Sequence, residues 1–187
     1  MRDRQRSIYL PPWRVDVTIR PGVERVVPIV LLARAMAAAL EAGGAPRPAS
    51  LGLILSDDRE LAELNAEHLG GSGPTDVLSF PLLPPGAFPT HAGRRPELAV
   101  GEAVEFSLPP GARPHLGDVV VSVERALEQA TGGRGGWTGD RHWAPGDELL
   151  LLVSHGTLHV CGWDHAEPAE EAAMRDLERR LLSSGPA

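Results

Sequence analysis

The sequence has a single cysteine, no lysine and no long apolar run. Because Cys161 is the only thiol, an internal disulfide is excluded, and such low cysteine use is typical of a reducing compartment. The longest strongly apolar run, Leu149 to Val153, is far shorter than the roughly 20 residues that a membrane-spanning helix needs. No apolar segment follows the charged N-terminal residues, so no secretory signal is predicted. We therefore expect a cytoplasmic protein with no membrane as its partner.

A net positive charge is also lacking, because the formal charge is −7 at pH 7. Proteins that bind nucleic acids usually carry a basic surface, so the total charge argues weakly against an RNA substrate. The charge is segregated, however, and the first 34 residues contain seven arginines: Arg2, Arg4, Arg6, Arg14, Arg20, Arg25 and Arg34. This basic start could contact phosphate, or it could be a solvated and partly disordered segment.

The hydrophobic pattern predicts four strands, at residues 13–19, 49–55, 77–80 and 116–122. Five helices are predicted. The second follows an N-cap at Ser56 and ends at about 68, and the fourth runs from 145 to the exit at Gly162. The other three lie at about 23–42, 123–130 and 167–182. Pro28 lies in the first turns of the first helix or marks its true start. We expect an α+β (mixed α/β) fold, in which a small four-stranded mixed sheet packs against about five helices.

A chain of 187 residues fits one domain with a sizeable core, and we expect residues 1–187 to form a single hydrolase domain. Two segments rich in glycine or proline, 81–115 and 131–146, are predicted to be loop insertions. Loops this long need an explanation, which is either a substrate groove or a tolerated surface insertion. Within the first loop, Glu97 to Phe106 could form an added hairpin.

The clearest chemical signal is the run His-Gly-Thr-Leu-His-Val-Cys-Gly-Trp-Asp-His, which contains His155, His159 and His165. Histidines four residues apart lie one turn apart on the same face of a helix, so two imidazoles can converge on one ion. Gly162 suits the sharp helix exit that returns the third histidine to the same place. Three protein ligands leave one position open for water, which is typical of a catalytic metal site at the end of a helix.

The spacing also matches the metzincin protease pattern His-Glu-x-x-His-x-x-Gly-x-x-His, with one important difference. Gly156 occupies the place of the glutamate that serves those proteases as the general base. A bound metal ion could still lower the pKa of water and polarise a phosphoryl oxygen. The pattern therefore favours a metal-dependent hydrolase whose substrate is not a peptide.

The run from His155 to His165 resembles the signature of the YbeY family, which are metal-dependent endoribonucleases of bacterial ribosome maturation. Three further segments are similar to that family in the same order: Leu64-Asn65 with Pro74 to Pro81, Leu116 to Ser122, and the last helix with Met174 and Leu177-Glu178. Together they cover most of the chain outside the two loops.

The resemblance implies a zinc-dependent enzyme that cuts single-stranded RNA, matures the 3′ end of small-subunit ribosomal RNA and takes part in ribosome quality control. It implies one Zn²⁺ per chain on His155, His159 and His165, and the ribosome or its small subunit as a partner. Many members of the family have an arginine at the position of Leu69, so this chain departs from the pattern there.

The general base is not identifiable from the sequence, and Asp164 is only a candidate. Its carboxylate could also orient an imidazole or cap the following helix. Thr75, Asp76 and Ser79 could line a cleft, and for Thr75 and Asp76 turn or cap chemistry before a strand is equally open. Trp163 could stack on a base, although a core anchor at the helix exit is favoured.

Two other functions remain open. Leu69 and the negative charge favour a ribosome-associated assembly factor whose metal is mainly structural. The histidine spacing leaves a smaller place for a metalloprotease.

Overall fold

The computed structural model describes residues 2–93, 112–132 and 143–184. Its sheet has five strands in the order β1-β2-β3-β5-β4. Strands β2, β3 and β5 are parallel neighbours, while β1 and β4 are antiparallel strands at the two edges. The strands are β1 Arg4–Leu10, β2 Trp13–Ile19, β3 Ala49–Ser56, β4 Val77–Pro81 and β5 His115–Ser122.

Five helices cover the sheet in the described part of the chain: α1 Ile29–Ala42, α2 Asp58–Leu69, α3 Val123–Gly132, α4 Pro145–Val160 and α5 Pro168–Ser184. Alternate residues of β2, β3 and β5 point to one face and form the main core with α1 and α4. A smaller core on the other face joins Leu61 of α2 to Leu78 and Val120. Helix α4 lies between the sheet and the other helices, so most of its residues are buried.

The expected α+β fold is confirmed, but the sheet has one strand more than the four expected. The additional strand is β1. The expectation of a partly disordered N-terminal segment is therefore wrong for Arg4–Leu10. Leu10 pairs with Trp13 across the Pro11-Pro12 connection, which makes a hairpin. The sequence pattern conceals β1 because it is an edge strand with mostly exposed side chains, so it lacks the alternation of a half-buried strand.

Two helices begin at residues other than those predicted. Helix α1 begins at Ile29 with Pro28 as its N-cap, so the second of the two readings of Pro28 is confirmed. Helix α2 has its N-cap at Asp57 rather than Ser56, because the Asp57 carboxylate accepts a hydrogen bond from the Glu60 amide at 2.9 Å.

The two predicted insertions lie partly outside the described residues, as does the hairpin expected at Glu97 to Phe106. The described start of the first insertion contains a short 3₁₀ helix, Pro85–Ala87. Across the described ranges, no helix combines the length and the apolar character needed to cross a membrane.

Candidate metal centre

Helix α4 carries two of the three histidines at its C-terminal end. His155 and His159 lie one turn apart, and their Nε2 atoms are 3.0 Å from each other. Their rings meet edge to face with 4.5 Å between centroids. The local spacing therefore produces the convergence that it predicts.

The exit from α4 brings the third histidine back to the first two. Gly162 has φ +83°, a left-handed conformation that suits glycine. Its amide donates to the carbonyl of His159 at 3.0 Å, and the Trp163 amide donates to the carbonyl of Leu158 at 3.1 Å. This is the Schellman arrangement of a helix end. His165 follows, and its ring centroid lies 5.4 Å from that of His155 and 4.9 Å from that of His159.

Hydrogen bonds at the outer side of two rings determine which nitrogens face inward. Nδ1 of His155 donates to the Glu178 carboxylate at 2.6 Å, and Nδ1 of His159 donates to the Trp163 carbonyl at 2.8 Å. Both partners can only accept, so each neutral ring carries its hydrogen on Nδ1 and a lone pair on Nε2. Two lone pairs at 3.0 Å repel each other unless a cation lies between them.

The electrostatics of His159 also favour a neutral imidazole. Burial, together with repulsion from His155 and His165, lowers the pKa of His159 from 6.5 to about 4. At neutral pH this ring is uncharged, as a metal ligand must be.

The donor set fits a metal ion. One nitrogen from each of the three histidines lies within 4.8 Å of the other two, so the trio could hold a metal ion. Two imidazole nitrogens on one tetrahedral zinc are about 3.3 Å apart, close to the observed Nε2 separation. His165 is exposed, so the third ligand position faces solvent.

Glu178 contacts the candidate site, and the sequence reasoning assigned it no role although the resemblance included it. It lies on α5, and only 3 % of its surface is exposed. Its carboxylate fixes His155 from behind, in the manner of the carboxylate–histidine–metal groups that orient metal ligands. The contact joins residues 23 positions apart, so no local spacing could have indicated it.

Asp164 has a local structural contact. Its carboxylate accepts a hydrogen bond from the amide of His165 at 2.8 Å. Its own amide donates to the carbonyl of Gly93 at 2.7 Å, which ties the helix exit to the first long loop. Asp164 thus holds the backbone of the third histidine, and it is not among the residues that line the cleft next to the trio.

That cleft has a volume of about 900 Å³. The three histidines form one wall, and residues of α2, β4 and the segment before β4 form the others. Thr75, Asp76 and Ser79 line it, and they also have structural contacts. The Asp76 carboxylate accepts from the Val77 amide at 2.9 Å, and the Ser79 hydroxyl donates to the Gly156 carbonyl at 2.9 Å. All three residues therefore line the cleft, and Asp76 also makes the local backbone contact expected of a turn or cap residue.

The rim of the cleft carries exposed apolar side chains. Leu69 is 70 % exposed and Leu82 is 62 % exposed, and both line the cleft. The His68 ring packs edge-on against Phe80 at 5.1 Å. Among the described residues, no arginine lines this cleft. Within the described residues, the side chains nearest the trio therefore supply no arginine charge.

Gly156 faces the sheet and is tightly packed there. A Cβ at this position would lie 2.6 Å from Cγ1 of Val119 and 3.0 Å from Cγ2 of Val77. The position of the protease glutamate is therefore filled by strand residues and cannot hold a carboxylate beside the metal. This packing argues against a peptide-cleaving enzyme that uses a glutamate at this position as its general base.

Trp163 is a core residue with 9 % of its surface exposed. The His91 ring stacks on it, with 4.1 Å between centroids and 10° between planes. The side chain is therefore engaged within the protein, as a core anchor at the helix exit would be.

Comparisons with known proteins show the family of this chain. A family model for endoribonuclease YbeY matches residues 28–185. The endoribonuclease YbeY of Salinispora tropica is 40 % identical over 148 residues, which are 78 % of this chain and 80 % of the relative. That of Roseiflexus castenholzii is 33 % identical over 171 residues, covering 91 % of both chains.

A solved structure has the same fold. The solution structure of TM1509 from Thermotoga maritima aligns with a TM-score of 0.50 at 20 % sequence identity, covering 90 % of this chain and 87 % of that one. At this identity the likeness concerns the fold alone. The family model and the relatives carry the assignment: this chain belongs to the endoribonuclease YbeY family.

Proposed function

We propose that this protein is a zinc-dependent endoribonuclease that cuts single-stranded RNA during ribosomal RNA processing. The proposal includes 3′-end maturation of small-subunit rRNA and ribosome quality control, in the cytoplasm and in contact with the ribosome. It treats residues 1–187 as one domain with insertions at 81–115 and 131–146. One observation carries it: His155, His159 and His165 converge, with the Nε2 atoms of the first two 3.0 Å apart.

The chain's own residues would hold one Zn²⁺ and orient the RNA beside it. A bound divalent ion supplies an acidified water and polarises a phosphoryl oxygen. Glu178 and the Trp163 carbonyl orient the imidazoles of His155 and His159. The turn at Gly162 directs the chain so that His165 lies beside them. The 900 Å³ cleft has room for a nucleotide, with Thr75 and Ser79 as polar wall groups. Asp164 remains a weak candidate for the general base, because its carboxylate is engaged by the His165 amide.

The primary test compares His159→Ala with His68→Ala. Both change a histidine of the same cleft, but only the first removes a proposed ligand. We expect elemental analysis to find one zinc per wild-type chain and per His68→Ala chain, and far less in His159→Ala. RNA cleavage should disappear together with the zinc. A His159→Ala protein that keeps both its zinc and its activity would refute the proposal.

The chemistry of the cleaved ends distinguishes two mechanisms. Attack by water can leave a 3′-hydroxyl, whereas attack by the RNA 2′-hydroxyl leaves a cyclic phosphate. Mass spectrometry of the products would decide between them, and a substrate with a 2′-methoxy group at the cut site should resist only the second reaction.

A ribosome-associated assembly factor with a structural metal is the second candidate. The exposed Leu69 and the lack of a described arginine along the cleft favour it. In that case, ribosome binding would survive in His159→Ala and neither protein would cut RNA. Casein added to the same assay would detect a protease, which the packing at Gly156 argues against.

A further inference from the structure

The arginines of this protein fall into two groups. Every described arginine after residue 34 makes an ion pair or a hydrogen bond within the described structure. Arg14 of β2 is also paired, with Asp16. Arg20, which directly follows β2, pairs with Asp3 and Glu60. The remaining described arginines have no such partner among the described residues, and all are exposed: Arg2, Arg4, Arg6, Arg25 and Arg34. Among the described arginines, the unpaired positive charge is therefore concentrated in the first 34 residues.

Two of these arginines line one groove, which we call the arginine groove. It lies between β1 and the start of α1, has a volume of about 790 Å³, and includes Arg6 and Arg25 in its lining. Arg6 pairs in register with Val17 and Arg4 with Ile19, so both arginines lie on the α1 face of the sheet. Val30, another lining residue, is 40 % exposed and lies one helical turn before Arg34.

The arginine groove is remote from the metal centre. Its lining residue Val27 meets the start of α4, where a Cβ on Gly146 would lie 2.6 Å from Val27 Cγ1. The histidines lie at the other end of the same helix. His159 lies thirteen positions after Gly146 on this helix, and the rise along the helix axis between them is about 20 Å. A single RNA strand of roughly six stacked nucleotides has this length.

Charge complementarity selects the occupant. The metal cleft has no described arginine along its lining, so the described counter-charge for an RNA substrate lies elsewhere on a protein of net charge −7. The arginine groove offers planar guanidinium groups that have no carboxylate partner among the described residues, and arginine suits bidentate phosphate contacts. Arginines on an unpaired edge strand can also serve only to prevent strand pairing with other chains, and this alternative makes a different prediction.

We propose that the arginine groove is a second RNA-binding site that holds the phosphate backbone of a single strand about 20 Å from the metal centre. The inference rests on the proposed ribonuclease function, because RNA is the occupant. It predicts that long substrates are held at two places, whereas fragments shorter than roughly six nucleotides contact only the metal cleft.

The test measures binding rather than cleavage. Metal-loaded protein is titrated into a fluorescent 2′-O-methyl RNA of roughly 25 nucleotides, and a gel confirms that the probe stays intact. For Arg6→Ala/Arg25→Ala we expect an affinity loss of about tenfold or more. The slope of log K against log salt should become shallower by roughly 1.4, since each lost phosphate contact on a single strand contributes about 0.7.

Two controls isolate the groove. Arg59→Ala/Arg175→Ala removes the same charge from exposed positions of α2 and α5, and it should leave affinity and slope nearly unchanged. Arg6→Lys/Arg25→Lys keeps the charge and should keep the salt slope. Circular dichroism should show the same fold in all variants, because the substituted side chains are exposed.

The outcomes separate this inference from the proposed function. Groove-dependent RNA binding by a protein that cuts no RNA would support the site while refuting the nuclease. Equal binding by the groove variant and wild type would overturn the site, and oligomers of that variant on size exclusion would assign the arginines to edge protection. An oligoglutamate peptide that binds the groove while RNA binding is unaffected by the substitutions would also overturn it.

Discussion

At the scale of single residues, Glu178 connects the last helix to the metal centre through His155. We expect Glu178→Ala to weaken zinc affinity about 10- to 100-fold, because the imidazole loses the group that orients it. Glu178→Gln should have a smaller effect, since an amide oxygen can still accept the Nδ1 hydrogen. Competition with a chromophoric chelator gives the affinity. Glu171→Gln, a partly buried position of α5 paired with Arg175, serves as the control; equal affinity in all four proteins would contradict the assignment.

Gly156 makes a second residue-scale prediction. Alanine favours helix over glycine by roughly 1 kcal/mol, but here its Cβ meets Val119 in a packed core, where overpacking costs about 1–3 kcal/mol. We therefore expect Gly156→Ala to lower the free energy of unfolding in urea. Gly86→Ala is the matched control, because a Cβ at Gly86 meets no atom within 4 Å. A Gly156→Ala protein as stable as wild type would show that α4 can shift away from the sheet.

At the scale of elements, β5 begins with a histidine that is hydrogen-bonded to Asp118. The hydrogen bond from His115 to Asp118 raises the pKa of His115 above 6.5, although burial partly opposes it. A histidine with a raised pKa in the folded state stabilises the protein fully below its unfolded pKa of about 6.5. This contribution is lost as the pH rises through the folded value.

Unfolding curves can detect this loss. We expect the free energy of unfolding of the wild type to fall between pH 6 and pH 8.5 by more than that of His115→Gln, which has no charge to lose. The same fall in both proteins would assign the pH dependence to other groups. Because both side chains are more than one third exposed, solvent screens the pair and the difference should be small.

The elements also show which features a sequence can reveal. His155 and His159 are predictable because one helical turn places them together, and Gly162 marks the exit by its left-handed conformation. Strand β1 was not predictable, because an exposed edge strand carries little hydrophobic alternation. Glu178 and the tight contact at Gly156 depend on how α4 packs against α5 and the sheet, which no local spacing encodes.

At the scale of the whole molecule, metal binding and folding should be coupled. A ligand that binds only the folded state stabilises it by about 2.7 kcal/mol at a hundred times its dissociation constant. For a chain of this size, that corresponds to a rise in Tm of roughly 5–10 °C. We expect zinc to raise the Tm of the chelator-treated wild type, as measured by differential scanning fluorimetry. His159→Ala should not respond, and an equal response would place the zinc elsewhere.

The contact between the first long loop and the helix exit has a thermodynamic consequence. His91 stacks on Trp163, and the Gly93 carbonyl accepts the Asp164 amide, immediately beside His165. Because these contacts order the backbone of a proposed ligand, metal binding and the packing of residues 91–93 against the helix exit should strengthen each other by the same factor. Any partner that moves residues 91–93 away from the helix exit would weaken metal binding, and a bound metal would weaken the binding of that partner.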